Sequence, residues 1–250
     1  MRLPPSMLPR TLMNVTASRA WHAIAVVVAA PLVLAIVEML HPHPHDLFGL
    51  DVNRWMLVHY AQIPLFPLAA LSTAMLVRDR KDWAAWLCRA GMFVFAIAFT
   101  VFDTAAGLVV GLLVKGALAS GDPESWRDMI DALWFDPVLG GRGFTDAPWM
   151  GLIGRVALSF GAVAGAISLK RAGHGWLPVL LLAIASFGIN VFKSHSWPGG
   201  PLTFGGMAIA AGWLRWETLR RQARAVALLE EGVDAAVAGV PGSARRVEAR

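Results

Sequence analysis

The chain has little charge and almost no cysteine, and each shortage excludes a class of protein. Charged residues make up 16% of its 250 residues, against about a quarter in soluble domains. Cys88 is the single cysteine, which excludes an internal disulfide and every Cys-x-x-Cys metal or redox motif. The Gly-rich phosphate loop, His-Glu-x-x-His and Gly-x-Ser-x-Gly are absent as well. No lysine lies in the middle of an apolar stretch, so a retinal-type Schiff base is also excluded.

Hydrophobic residues, by contrast, make up 56% of the chain, and its mean hydropathy is +0.56. They come in blocks of about 18 to 25 residues, long enough to cross the hydrocarbon layer of a membrane as helices. The predicted fold class is therefore all-α, a polytopic membrane protein with six transmembrane helices. These spans are predicted at about 21–40, 55–77, 86–113, 149–169, 176–192 and 202–216.

The third loop, at about 115–147, is predicted to contain one short interfacial helix. Asp122 can cap this helix and Pro123 suits its first turn. Its apolar residues share one face, as in a helix that lies across a membrane surface: Trp126, Met129, Ile130, Leu133 and Trp134. A lid packed on neighbouring loops is the alternative interpretation of the same segment.

The basic residues indicate how the chain is oriented. A net charge of +5 and a pI of 10.1 would suit a nucleic-acid partner, but Lys and Arg sit in short links between apolar blocks, as membrane topology requires. Nucleic acid is therefore excluded as a partner. With six spans, and with the tail counted only as far as Arg224, thirteen Lys and Arg fall on the side of the termini and five on the other side: Arg54, Lys115, Arg127, Arg142 and Lys193. The positive-inside rule then predicts an inner-membrane protein with both termini in the cytoplasm.

Three regions follow from this topology. Residues 1–19 form a cytoplasmic N-terminal segment, residues 20–216 the six-helix transmembrane domain, and residues 217–250 a cytoplasmic tail, helical at first and then disordered after Gly239. The first apolar block is interpreted as a retained span, because it ends in His-Pro-His-Pro-His-Asp rather than at a small-residue cleavage site. The tail helix offers a docking surface for a protein partner.

Four ionisable residues fall inside predicted spans away from their cytoplasmic ends, where each costs roughly 2.5 kcal/mol or more unless it faces protein or water. They are Glu38, His59, Asp103 and Arg155. At 1.5 Å per residue, most lie within roughly 10 Å of the outer membrane face and Asp103 roughly 15 Å below it. The histidine-rich turn that holds His41, His43 and His45, and the link that holds His195, are predicted on the same side. We therefore expect one polar pocket open to the outside.

Imidazole and carboxylate groups at one place suit a transition metal such as Zn, Cu, Fe or Mn. The predicted ligands are Glu38, His41, His45, His59 and His195. Asp103 is the predicted proton acceptor, and Arg155 would hold an anionic group of the substrate. The resulting hypothesis is a metal site used for redox or hydrolytic chemistry on a lipid-soluble or periplasmic substrate, at the surface of the lipid bilayer.

Other interpretations stay open, and the sequence does not decide whether the protein is an enzyme. Asp103 and Arg155 could pair structurally, or they could serve a proton- or ion-coupled transporter. The histidine-rich turn could be a solvated loop that tunes a pH response. A non-catalytic partner or sensor subunit is the third hypothesis, with the tail as its contact surface.

Overall fold

A computed structural model of the protein describes residues 10–43, 46–141 and 148–238, and the regular structure in those ranges is entirely helical. The α-helices are α1 (Arg10–Met39), α2 (Val52–Leu76), α3 (Trp83–Asp103), α4 (Val110–Ser120), α5 (Arg127–Trp134), α6 (Trp149–Arg171), α7 (Trp176–Ala185), α8 (Gly188–Phe192) and α9 (Gly199–Ala238). A π-helical turn, Thr104–Val109, joins α3 to α4 in one continuous rod. Short 3-10 turns, Leu47–Gly49 and Pro123–Trp126, precede α2 and α5.

The long helices pack in a closed ring. α1 lies between α2 and α9, α3 between α2 and α6, and α7 between α6 and α9. The centre of the ring is aromatic, because Phe66, Phe95, Phe99 and Phe204 are all buried there with ring centroids 5.1 to 6.3 Å apart. These four rings form an apolar plug across the middle of the bundle.

The closest helix pair is α3 with α6, and glycine makes that approach feasible. A Cβ atom at Gly91 would lie 2.8 Å from both the Ala157 carbonyl oxygen and the Gly161 Cα. Helices that pack through small residues in this way are common in membranes, where close backbone contact replaces the hydrophobic effect.

Within the described ranges, three helical stretches are long and apolar enough to cross a membrane: Ala20–Met39, Trp83–Ser120 and Trp149–Arg171. Trp176–Phe192 is apolar but shorter. Many large apolar side chains point outward from the bundle, among them Leu57, Phe93 and Ile209. The prediction of an all-helical protein with membrane-type helices is thus confirmed for the described residues, whereas the count of six spans stays a prediction.

α1 ends at Met39, one residue before the predicted end of the first span, and Pro42 disfavours helical backbone at the residue before it. The end of the third span differs from the sequence prediction. The third predicted span continues to Ser120 rather than ending near residue 113. It stops there because Gly121 adopts a left-handed conformation with φ +80°, a common helix terminator.

The third loop contains a short helix, α5, where the sequence predicts one. Asp122 makes no side-chain capping bond to it. Ile130 is buried against α4 and against Leu47, and Arg127 lies 3.8 Å from the Asp46 carboxylate. These contacts are those of a lid packed on its neighbours, and a place at the membrane interface stays a prediction.

Candidate functional site

One cavity of about 370 Å³ gathers most of the predicted site residues at the end of the bundle where α1 stops and α2 starts. His41, His59, Asp103 and His195 all line it. These residues come from the turn after α1, from α2, from the end of α3 and from the link between α8 and α9. His45, which is a predicted ligand, and the part of the tail after Gly239, for which disorder is predicted, lie outside the described residues.

Helix α2 supplies one wall of the cavity. Asp51 caps its first turn by accepting a hydrogen bond from the Arg54 backbone N–H at 3.1 Å. Trp55, His59 and Gln62 follow at helical spacing on a single buried face. The sequence therefore points an indole, an imidazole and an amide toward the same side of the helix.

The π-helical turn after Asp103 shapes the opposite wall. Trp55 Nε1 donates a hydrogen bond of 2.7 Å to the Gly107 carbonyl oxygen inside that turn. A Cβ at Gly107 would overlap the His59 ring, so only glycine lets this backbone pass so close to the imidazole. π-helical turns inside α-helices often occur at functional sites.

His195 reaches the cavity from a sharply turned link. α8 ends at Phe192, and Lys193 then takes a left-handed conformation with φ +53°, which is uncommon for a residue with a side chain. The start of α9 packs directly on this link, because a Cβ at Gly200 would overlap the His195 carbonyl group. Both features hold His195 over the aromatic plug, 6.1 Å from the Phe99 ring and 5.9 Å from the Phe102 ring.

Three of the imidazoles share one hydrogen-bonding arrangement. Nδ1 of His41 bonds the Pro42 carbonyl oxygen at 2.7 Å, and Nδ1 of His59 bonds the Trp55 carbonyl oxygen at 2.7 Å. Because a carbonyl oxygen only accepts, these Nδ1 atoms carry the proton and each Nε2 presents a lone pair. Nδ1 of His195 similarly bonds the Glu38 carboxylate at 3.2 Å.

The same three rings are close together. The His41 ring centroid lies 4.8 Å from that of His59 and 4.8 Å from that of His195. Nε2 of His41 is buried and has no hydrogen-bond partner in the described part of the chain. Burial, with His195 nearby, lowers the pKa of His41 to about 3, and burial next to His43 lowers the pKa of His195 to about 4. Both rings are therefore neutral at pH 7.

Asp103 brings a carboxylate to the same cavity. It is 1% exposed, and neither of its oxygens has a hydrogen-bond partner within the described residues. Nε2 of His59 lies 3.7 Å from Oδ1 of Asp103, which is longer than a hydrogen bond. A buried carboxylate without a hydrogen-bond donor is energetically unfavourable. Binding of a cation or a proton would therefore stabilise Asp103.

Glu38 lies behind the cavity rather than in its lining. Its side chain is fully buried; one oxygen accepts from Gln62 Nε2 at 2.9 Å and the other lies 3.2 Å from Nδ1 of His195. The structure therefore brings Glu38 to the predicted site, but with its two oxygens already engaged in holding neighbouring side chains.

Arg155 is not among the residues that line the cavity. It is half-buried on α6, where its backbone carbonyl accepts from Asn190 at 3.4 Å. Both oxygens of Asp103 lack hydrogen bonds, so the two residues form no hydrogen-bonded pair. A role for Arg155 in holding an anionic group stays a prediction.

The sequence interpretation missed a second set of polar residues at the mouth of the cavity. Nε2 of His43 and Oγ of Ser196 are 2.6 Å apart, and Oγ of Ser194 lies 2.6 Å from Oγ of Ser196. The alternation Ser-His-Ser at residues 194–196 is the signal that could have drawn attention to this link, because it repeats the alternation of the histidine-rich turn that it contacts.

No group of three or more His, Cys, Asp or Glu side chains in the described ranges stands in a ready metal-binding arrangement. The imidazoles face the same cavity, but their donor atoms would have to turn toward a common point to bind one ion. Metal binding is therefore not shown by the geometry alone.

Comparison with models of known protein families, with curated proteins and with solved structures found no match to this chain.

Proposed function

We propose that the chain is a multi-pass membrane protein that binds one divalent transition-metal ion through His41, His59 and His195, and uses it for hydrolysis. The substrate would be a lipid-soluble or periplasmic molecule that enters the cavity. Zn²⁺ is the ion that best fits three neutral imidazoles with an open position for water.

A single observation carries this proposal. Each of the three Nδ1 atoms lies within hydrogen-bonding distance of an oxygen, and all three histidines line one cavity of about 370 Å³. Histidine ligands in metal sites have this same pattern, because the outer hydrogen bond fixes the tautomer and the orientation of the ring. Glu38 then acts as the outer partner of His195 rather than as a ligand.

Hydrolysis is favoured over redox chemistry by the side chains around the three imidazoles. The described lining contains neither cysteine nor methionine, which would select copper or an iron–sulfur cluster. Asp103 is the only carboxylate among the described lining residues, and it lies on the His59 side. A bound ion would supply an activated water at this position, and we assign to Asp103 the role of general base.

The topology is part of the proposal. Six spans would place the cavity on the outer side, opposite the basic links at Arg78–Lys81 and Lys170–Arg171. The short helix α5 would lie at the outer surface, and Trp134 from it lines the cavity. The bilayer would then deliver an apolar substrate laterally, and water would reach the site from outside.

A proton-coupled transporter fits less well. Transport needs an alternating path to the other side, but Phe66, Phe95, Phe99 and Phe204 fill the centre of the bundle below the cavity. The buried carboxylate of Asp103 suits hydrolysis and proton-coupled transport equally, so it does not distinguish the two functions.

Metal analysis of the purified full-length protein, before and after loading with Zn²⁺, tests the proposal. We expect one ion per chain in the wild type and none in a triple variant that carries His41→Ala, His59→Ala and His195→Ala. His174→Ala is the matched control, because His174 is a buried histidine at the opposite end of the bundle. A loaded wild type without bound metal, or a triple variant that binds as well as the control, would refute the metal site.

A further inference from the structure

The link between α8 and α9 places a serine in contact with a histidine inside the candidate site. Oγ of Ser196 lies 2.6 Å from Nε2 of His43, within the 2.6 to 3.2 Å range that a nucleophile and its base require. Ser196 is 3% exposed and lines the same cavity as the three imidazoles described above. A buried serine beside a histidine in a ligand-sized cavity has the geometry of an activated nucleophile.

The surrounding hydrogen bonds are compatible with proton transfer from Ser196 to His43. The Ser196 backbone N–H donates to Oγ of Ser194 at 3.1 Å. The Ser194 hydroxyl has its own proton to donate to Oγ of Ser196, which lies 2.6 Å away. In that arrangement the Ser196 hydroxyl donates to His43, which is the direction that proton removal from a nucleophile requires.

We propose that Ser196 is a covalent nucleophile and His43 its general base, and that the substrate is a carboxylic ester with an apolar acyl group. The acyl group is assigned to the apolar walls of the cavity, which are formed by Trp55, Phe102 and Trp134. The inference rests on the hydrolytic part of the function proposed above, but not on the metal ion.

The chemical step balances without an oxidant or reductant. Oγ of Ser196 attacks the carbonyl carbon of the ester while its proton passes to Nε2 of His43. The bond between that carbon and the alkoxy oxygen then breaks, and His43 returns the proton to the leaving alcohol. Water next hydrolyses the acyl-serine by the reverse sequence, which releases the acid and restores Ser196.

Covalent labelling with a tagged fluorophosphonate tests the nucleophile independently of turnover. The full-length protein is labelled in detergent, once after treatment with a chelator and once after loading with Zn²⁺, and the modified peptide is identified by mass spectrometry. We expect the label on Ser196 in both states. Ser196→Ala should remove it, and His43→Gln should slow labelling at least tenfold.

Matched controls separate reactivity from folding. Ser159→Ala removes another buried serine, one that bonds the Ser186 carbonyl, and His174→Gln removes a histidine far from the cavity. Both should label at the wild-type rate. If Ser196→Ala fails to fold, Ser196→Cys still tests the site: an alkylating reagent should modify residue 196 and spare the buried Cys88.

Several results would overturn the inference. They are an unlabelled folded wild type, a label on a residue other than 196, and labelling that His43→Gln leaves unchanged. Since the labelling does not depend on bound metal, a protein that labels at Ser196 but binds no Zn²⁺ would refute the metal site alone. A protein that binds Zn²⁺ but does not label would refute the nucleophile alone.

Discussion

The bundle has a polar cluster at each end, and the two are built differently. At the end opposite the cavity, which we call the basic end, Asp82, Ser168, His174, Glu217 and Arg221 bond one another or the backbone. Ser168 donates to Asp82 at 2.7 Å, His174 bonds Glu217 at 2.9 Å, and Arg221 donates to the Ala172 and Gly173 carbonyls. Among the residues that line the cavity, buried polar atoms of His41 and Asp103 have no hydrogen-bond partner in the described part of the chain.

This difference distinguishes polar residues that stabilise the fold from polar residues that are available to bind a ligand. A buried polar group costs roughly 1 to 3 kcal/mol when it lacks a partner. The basic end avoids that cost by pairing its groups, so its histidine serves the fold. The cavity end leaves buried polar atoms without partners, and a bound ligand would supply those partners.

The largest difference between the two ends should appear when one imidazole is removed from each of them in separate variants. His59→Ala should weaken Zn²⁺ binding at least ~100-fold, because the variant loses a direct ligand, and even changes to outer partners cost about 10- to 100-fold. His174→Ala should leave the affinity unchanged. Competition with a coloured chelator measures both. Equal affinities in the two variants would erase the distinction between the ends.

A steric change at the cavity should have the next largest effect. Gly107→Ala forces a methyl group into the His59 ring and should lower the free energy of unfolding by about 1 to 3 kcal/mol. Gly49→Ala is the matched control, because a Cβ there meets nothing within 4 Å. Unfolding in detergent followed by circular dichroism provides the comparison, and a Gly107→Ala protein as stable as the control would contradict the tight packing described for His59.

A change behind the cavity should have a smaller effect. Glu38→Gln keeps the size of the side chain but replaces a carboxyl oxygen by an amide group, which alters the contact with Nδ1 of His195, so Zn²⁺ binding should weaken about 10-fold. Glu217→Gln makes the same change beside His174 and should lower stability by about 1 kcal/mol without touching metal affinity. Chelator competition and thermal unfolding on both variants distinguish a positioning role from a general structural one.

The smallest effect concerns pH at the basic end. Burial lowers the pKa of His174 below its ordinary 6.5, although Glu217 opposes this shift and Arg221 and Arg80 add to it. The unfolded chain therefore takes up a proton near pH 6.5 while the folded protein does not. The lowered pKa of His174 therefore changes the free energy of unfolding with pH. Its contribution is fully present above pH 6.5 and is lost as the pH falls toward the folded-state pKa, by at most about 1.4 kcal/mol per pH unit.

Thermal unfolding at pH 7.5 and pH 5.5 measures that loss. His174→Gln should lose less stability on acidification than the wild type, since the glutamine cannot take up a proton. An identical loss in the two proteins would show that His174 does not contribute to the pH dependence.

Part of this picture could be predicted from the sequence. Apolar blocks of membrane length predict helices, and the depth of Glu38, His59 and Asp103 within their blocks predicts that they face a common level of the bundle. The structure does bring these residues to one end. Depth gives no rotation about the helix axis, so the sequence could not distinguish Asp103, which lines the cavity, from Arg155, which does not.

Other features depend on contacts between distant parts of the chain. The partner of Glu38 is His195, more than 150 residues away, so spacing within α1 could not have indicated it. The π-helical turn after Asp103 is stabilised by Trp55 on another helix, and no local pattern in Thr104–Val109 predicts it. The pairing of His43 with Ser196 likewise exists only once the link and the turn are packed together.

X-ray absorption at the zinc edge of the Zn²⁺-loaded protein tests the central claim most directly. We predict a first shell of nitrogen and oxygen atoms at about 2.0 to 2.1 Å, with the outer scattering of three imidazole rings. That imidazole signal should fall by one ring in each of His41→Ala, His59→Ala and His195→Ala, and should be unchanged in His174→Ala. A zinc spectrum without imidazole scattering, or one that these variants do not alter, would contradict the proposed site.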